Sequence, residues 1–567
     1  MFTQAANRFC TTWLAIFRAS TIEPHVTRTS RLPFPVTIAV IPYLSRPILW
    51  KCKRPTIYPP ATQPDSPSCA RNGLELLELS GAPLFFRRSG LEYSAMSSSP
   101  IKFGTSGWRG LIADDFTFAN VRLALNAIAG HVNDVKKNST ILVGYDTRFY
   151  SEEFSQLAVD ILQQHHIRTL LCETFTPTPA IAYEILRRKL DGAINFTASH
   201  NPAQYHGLKF SSVDAGPALP EVTKDIEARA AKLAEKNGKL GGPAHHESIK
   251  GETVDLRDSY LKRLGELVRF DVLRKGKAKF IVDALHGCGA GYLDRVLADH
   301  GVSIQAMRTN RDCLFDGTGP DVSEGNLAPL RKAVTESGAT AGLATDGDAD
   351  RFGIIDHDGT WVSPNHILAL LYDYFVESRG WKMPAARSVA TSQMVDAVAK
   401  AHGQTTYQTP VGFKYIGQLI REDKIALGGE ESAGLTIRGH VPEKDGILAC
   451  LLVAEMLAAR GGSLGEQIKA LFKKLGREFW PVRENLQLSD EQKANAIKKV
   501  AVDAKTLLGR KVVSVDRTDG AKFVFDDGSW MLLRLSGTEP LLRLYVEADS
   551  PKASARLTGE ATKWVLA

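Results

Sequence analysis

Ser199 lies in the run Asn195-Phe196-Thr197-Ala198-Ser199-His200-Asn201-Pro202, directly after the apolar stretch Gly192-Ala193-Ile194. That spacing puts a serine hydroxyl on a turn that follows a strand. About 145 residues later comes Thr345-Asp346-Gly347-Asp348-Ala349-Asp350-Arg351, three carboxylates at alternate positions with Gly and Ala between them. Carboxylates that close stay ionised in a dry pocket only if a cation neutralises them. An all-oxygen donor set favours a hard ion, Mg²⁺ or Ca²⁺. A hydroxyl nucleophile beside such an ion points to phosphoryl transfer.

Each of these stretches has a plainer reading. The Ser199 turn alone could be a polar loop, since a hydroxyl is activated only when a base or cation is close. Lys209, in Tyr205-His206-Gly207-Leu208-Lys209-Phe210, is on a returning segment. Facing a cation-containing cleft, its pKa would be lowered and it would serve as a base. The acidic run is not a calcium loop of the helix-loop-helix type: Arg351 stands where that loop has Gly, and His357 stands at the twelfth position where it has Glu. The apolar flanks Ala341-Gly342-Leu343-Ala344 and Phe352-Gly353-Ile354-Ile355 predict two buried strands joined by the acidic loop. In Gly428-Gly429-Glu430-Glu431-Ser432-Ala433-Gly434, two adjacent carboxylates on a Gly-flanked loop suit the vicinal hydroxyls of a sugar. In Arg534-Leu535-Ser536-Gly537-Thr538-Glu539-Pro540 with Arg543, two guanidinium groups, two hydroxyls and a Gly amide surround one turn. Such a set is an anion cradle suited to phosphate.

The elements that must carry these loops follow a βαβ rhythm. Thr140–Gly144, Thr169–Cys172 and Ala193–Phe196 read as strands, with helices over Phe154–Gln164 and Ala180–Leu186. A polar, Gly-rich stretch at 236–243 reads as a linker. The rhythm restarts at Phe280 and again at Pro364, and the last block, about 480–567, is richer in strands. The expected fold class is α/β: three similar α/β domains with mixed sheets, at 96–245, 253–357 and 358–472, and a smaller C-terminal α+β domain at 480–567.

Composition narrows the function classes. The 567 residues are 44% hydrophobic and 23% charged, as in ordinary globular chains. Of the net charge of +7, residues 1–95 contribute +6; the remainder is near neutral, which argues against a nucleic-acid-binding face. No apolar run of about 18 residues predicts a membrane span. Seven cysteines, an odd number with no CxxC, point to a reducing compartment, and the expected location is cytoplasmic.

With these four loops in this order, and with Phe103-Gly104-Thr105-Ser106-Gly107-Trp108-Arg109-Gly110 and Gly439-His440-Val441-Pro442-Glu443-Lys444-Asp445-Gly446 in addition, residues from about 100 to 567 resemble the α-D-phosphohexomutase superfamily. The resemblance implies a heart-shaped molecule with a central cleft. It implies a phosphoserine at Ser199 and one Mg²⁺ held by Asp346, Asp348, Asp350 and the serine. Arg109, His200, Lys209 and Arg351 would be at the transferred group, with Lys209 as general base. Glu430, Ser432, His440 and Lys444 would contact substrate, and Arg534, Ser536, Gly537, Thr538 and Arg543 would clamp the phosphate that is not reacting. A hexose phosphate is the implied substrate, a bisphosphorylated hexose the activator, and neither nucleic acid nor membrane is an implied partner. Glu431 resembles phosphoglucomutases; phosphomannomutase-type members tend to have Met there and phosphoglucosamine mutases Gln, and both tend to have His at Gly434. The expectation is therefore glucose phosphate. Mannose or dual use, glucosamine phosphate, a non-catalytic binder and a phosphatase remain as alternatives.

Residues 1–95 are unlike the rest. They hold 11 of the 27 prolines and show little periodicity. Three readings compete: a start assigned too early, with the protein beginning at Met96; an organelle-targeting segment, Arg-rich and acid-poor; and a disordered or accessory region.

Overall fold

The computed structural model describes residues 101–104, 107–236, 251–535 and 541–567. The Pro-rich segment, the expected linker beyond residue 236, and Ser536, Gly537 and Thr538 lie outside the described residues.

Four sheets organise the chain. The first has seven strands, ordered Phe103–Gly104, Gly107–Leu111, Tyr205–Ser212, Gly192–Phe196, Thr140–Tyr145, Arg168–Cys172 and Glu252–Val254. Its middle is parallel: Thr140–Tyr145 pairs in parallel with both Arg168–Cys172 and Gly192–Phe196. The second has five strands, with Lys279–Asp283 parallel to Ala341–Thr345 and to Ser303–Met307. The third has four, with Ala385–Ser388 parallel to Thr406–Thr409 and Leu427–Glu430. The fourth, of six strands, is antiparallel throughout.

The first three sheets share one device. A fully buried parallel strand ends, a short loop follows, and the chain folds back antiparallel to its own strand. Gly192–Phe196 folds back into Tyr205–Ser212. Ala341–Thr345 folds back into Phe352–Asp356. Leu427–Glu430 folds back into Gly434–Ile437. The strands are short, apolar and without alternation because helices cover both faces. Two of these fold-back loops contain Ser199 and the aspartate triad, and Glu430 ends the strand that leads into the third. Ligands in such sheets gather beyond the carboxyl ends of parallel strands, so the topology alone places the three loops where chemistry is done.

The first and fourth domains have cores of their own. The second and third share one continuous apolar core from Tyr260 to Phe479. Helix Gly446–Arg460 is the reason. It is buried from Gly446 through Leu457 and packs on the second domain's strands Ala341–Thr345 and Phe352–Asp356. It also packs on the third domain's helix Pro364–Arg379 and strand Gly434–Ile437. A helix apolar all round must be covered on every side, and here two domains do the covering.

Candidate active site

Ser199 is 1% exposed and adopts a left-handed backbone, φ 52°. A non-glycine residue there costs about 1–2 kcal/mol, so the surroundings must hold it. Its amide N–H donates to Thr197 Oγ1 at 2.8 Å, and its Oγ donates to Asp346 Oδ2 at 2.8 Å. Its carbonyl accepts from the Arg148 guanidinium at 2.7 Å.

The acidic loop closes tightly on this turn. One carboxylate oxygen from each of Asp346, Asp348 and Asp350 lies within 4.8 Å of the others, and all three residues are buried. Ala349 takes a left-handed φ of 58° to turn the loop. Gly347 is required by proximity: a Cβ there would stand 2.6 Å from the Ser199 carbonyl oxygen and 2.9 Å from Pro320 Cγ. The donor set fits a hard divalent cation. It is all oxygen, and Asp348 Oδ1 and Asp350 Oδ1 are buried without a hydrogen-bond partner, where unpaired carboxylate oxygens are costly. Burial, with Asp350 and Asp348 adding to it, drives the Asp346 carboxyl far above the ordinary range, the repulsion that an ion relieves.

Cations surround the cluster. Lys209 Nζ is 2.5 Å from Asp348 Oδ2 and 2.8 Å from Asp350 Oδ2, and Lys444 Nζ is 3.0 Å from Asp350 Oδ2. The lowered pKa expected of Lys209 is not what this geometry gives. Burial alone would lower it, but Asp348 and Asp350 outweigh burial and raise it, so Lys209 stands here as an ammonium. Burial would likewise raise Asp350, yet Lys209, Lys444 and Arg351 hold it well below the carboxylate range. Burial, then Arg351 and Arg109, press His200 far down, so its imidazole is neutral. Burial and then Arg351 bring Arg109 to about 10, still cationic at neutral pH.

A cavity of about 750 Å³ adjoins this group, with walls from all four domains. Arg109 and His200 come from the first domain and Arg351 from the second. Glu430, Glu431, Ser432 and Lys444 come from the third, Arg534 and Arg543 from the fourth. Ser199 and the aspartates are not wall residues, but their chain neighbours His200 and Arg351 are. Glu430 Oε1 accepts from the Gly412 N–H at 2.7 Å, and Glu431 Oε2 accepts from Ser388 and Thr391. Gly434 is needed because a Cβ there would lie 2.3 Å from Lys444 Cδ; the lysine reaches Asp350 through space that a side chain at 434 would fill. On the far wall Arg534 Nε donates to Asp519 at 2.8 Å.

One expected substrate residue is elsewhere. His440 is absent from the cavity wall; its Nε2 lies 2.7 Å from Asp445 Oδ2, which also accepts from Tyr260. The motif identified the neighbourhood but not the direction of the ring. Sequence reasoning also missed Arg148, Arg483, Asn485 and Tyr545, the last three on the cavity wall. The position of Arg148 just after the strand Thr140–Tyr145 was the available signal for it.

Three fold-back loops around a serine and an acidic cluster, facing an arginine-lined wall on a fourth domain, define a phosphohexomutase, an enzyme of isomerase type. Residues 100–237, 258–359 and 363–475 match phosphoglucomutase/phosphomannomutase alpha/beta/alpha domains I, II and III, and residues 484–563 match the C-terminal domain of the same family. The chain belongs to the phosphoglucomutase/phosphomannomutase family. It is 30% identical to phosphoglucomutase-1 of Bos taurus over 78% of this chain and 90% of that one. It is also 30% identical to a Methanothermobacter thermautotrophicus protein named as a probable phosphoglucosamine mutase, over 82% and 97%. A crystal structure from Thermus thermophilus, provisionally named a phosphomannomutase, superposes with a TM-score of 0.71 at 31% identity, covering 82% of this chain and 99% of that one.

Proposed function

We propose that this enzyme interconverts α-D-glucose 1-phosphate and glucose 6-phosphate through a phosphoserine at Ser199 and a 1,6-bisphosphate intermediate. The observation that carries the reading is the Ser199 hydroxyl 2.8 Å from one of three converging aspartates, with an arginine-lined wall across the same cleft. The phosphorus–Oγ bond breaks as a sugar hydroxyl forms its own bond to phosphorus, and the hydroxyl's proton would pass to the Lys209 amine once a bound cation has taken over Asp348 and Asp350. After the bisphosphate turns over, the other phosphoryl group returns to Oγ by the reverse step. One Mg²⁺ held by Asp346, Asp348, Asp350 and the serine phosphate would offset charge on the phosphoryl oxygens. Arg109 and Arg351 supply cationic donors at the same end of the cleft. Lys209, held as an ammonium by two aspartates, donates and screens charge in this arrangement; accepting the sugar's proton requires those carboxylates to be engaged elsewhere. Arg534 and Arg543 hold whichever phosphate is not reacting.

Glucose is favoured over mannose or glucosamine by Glu431 and by Gly434, whose missing side chain leaves the path for Lys444. The names of the relatives span all three sugars, so dual use is the second reading. A coupled assay over glucose, mannose and glucosamine 1-phosphates, primed with glucose 1,6-bisphosphate, tests it: glucose 1-phosphate is expected to have the highest kcat/KM. Peptide mapping should find phosphate on Ser199, and Ser199→Ala should abolish turnover. Wild-type turnover in that variant would overturn the mechanism.

A further inference from the structure

Arg148 is not itself a wall residue of the cleft; it lies fully buried behind the wall and directs its guanidinium at the Ser199 turn. Its Nη2 donates to the carbonyl oxygens of Ser199 at 2.7 Å and Asn201 at 2.5 Å. Its Nη1 donates to those of Pro202 at 2.8 Å and Tyr205 at 2.9 Å. Its Nε donates to Asp146 Oδ2 at 3.1 Å. An arginine has five N–H donors, and each is used here, four of them on backbone carbonyls between Ser199 and Tyr205. Four carbonyl dipoles turned inward on one point repel one another and need a cation at their focus. From the second domain, the Phe315 ring lies against the guanidinium at 5.1 Å, and Arg311 donates to the Arg148 and Thr147 carbonyls at 3.1 Å each.

We propose that Arg148 is the positioning residue of the phosphoryl-transfer turn: its guanidinium holds Ser199 in the left-handed conformation that aims Oγ at the aspartate cluster. The inference rests on the function proposed for Ser199. Lysine carries the same charge but three donors and no planar fork, so it cannot span four carbonyls and Asp146 together. Released, the turn relaxes toward an ordinary φ and takes Oγ with it. A displacement of that kind costs on the order of 10²-fold in turnover, without touching the residues that bind the sugar.

The experiment compares the unsubstituted protein with Arg148→Lys and Asp146→Asn. Each is incubated with glucose 1,6-bisphosphate, its Ser199 phosphate counted by intact mass, and its kcat per phosphorylated site and KM measured with glucose 1-phosphate. Arg148→Lys is expected to lose on the order of 10²-fold in kcat per site with KM within about threefold and a native circular-dichroism spectrum. Asp146→Asn, which frees the guanidinium plane, is expected to fall in the same direction by about tenfold. A folded Lys variant with per-site kcat within about threefold of the parent would overturn the proposal. So would a loss explained wholly by fewer folded, phosphorylatable molecules. If Arg148→Lys does not fold, the isosteric Asp146→Asn decides by the same criteria. An inactive or unphosphorylated parent would overturn the function and this inference together, whereas an active parent with an unaffected variant overturns this inference alone.

Discussion

Burial, reinforced by Glu431, pushes the Glu430 carboxyl up to about 7. An acid whose folded pKa lies above its ordinary value binds more protons folded than unfolded, so this group favours the folded state at low pH and loses that contribution as pH rises toward 7. The sugar binding proposed for Glu430 runs the other way, because only the ionised carboxylate accepts from two hydroxyls. KM is therefore expected to rise as pH falls from about 8 to about 6, and Glu430→Gln should flatten the profile at a uniformly higher KM; a parent KM independent of pH over that range would exclude the role. At the acidic loop, Asp348→Asn should lose activity by at least about 10²-fold. Mg²⁺ should raise the parent's Tm by binding only the folded state but leave the variant's unmoved, and EDTA should silence the parent reversibly. The aspartates were legible because their alternation is local and the next residues are apolar. Arg148 was not, because its acceptors on the Ser199 turn lie 51 to 57 positions away. The charge state of Lys209 was not, because pairing with two aspartates reversed the effect of burial.

The three fold-back loops pose a problem of clearance at the scale of the element. Strand runs such as Ala341–Thr345 and Gly192–Phe196 were legible from continuous apolarity, and so was the presence of a loop between each pair. Beyond the Lys209 segment their antiparallel return was not, since an apolar run bears no mark of direction. Nor was the need for Gly347 to lie against the Ser199 carbonyl, which depends on a loop of another domain. That contact makes a prediction. Gly347→Ala inserts a methyl 2.6 Å from the Ser199 carbonyl oxygen, so the serine turn and the acidic loop must part. The expected result is a native fold by circular dichroism, kcat reduced by about ten- to a hundredfold, and KM little changed. Unaltered kcat would mean that the two loops move independently.

Across the whole molecule, the family match runs from residue 100 to residue 563, and the cleft is assembled from residues within that range. A chain beginning at Met96 is accordingly expected to keep kcat/KM within about twofold of the full chain; a larger loss in the same assay would assign residues 1–95 a part in turnover. The repeat of three similar blocks was legible in the sequence. The fusion of the second and third was not, because helix Gly446–Arg460 follows the third block's strands yet also covers the second block's sheet. That shared core makes them one thermodynamic body with two addresses. Heating should melt residues 258–475 in a single calorimetric transition whose van't Hoff and calorimetric enthalpies agree. A chain severed near residue 360 should yield two insoluble halves instead of two domains. On the function proposed, the acidic loop and the Glu430 loop then belong to one anvil, and any give that a turning bisphosphate would demand must come from the serine on one flank and the arginines on the other.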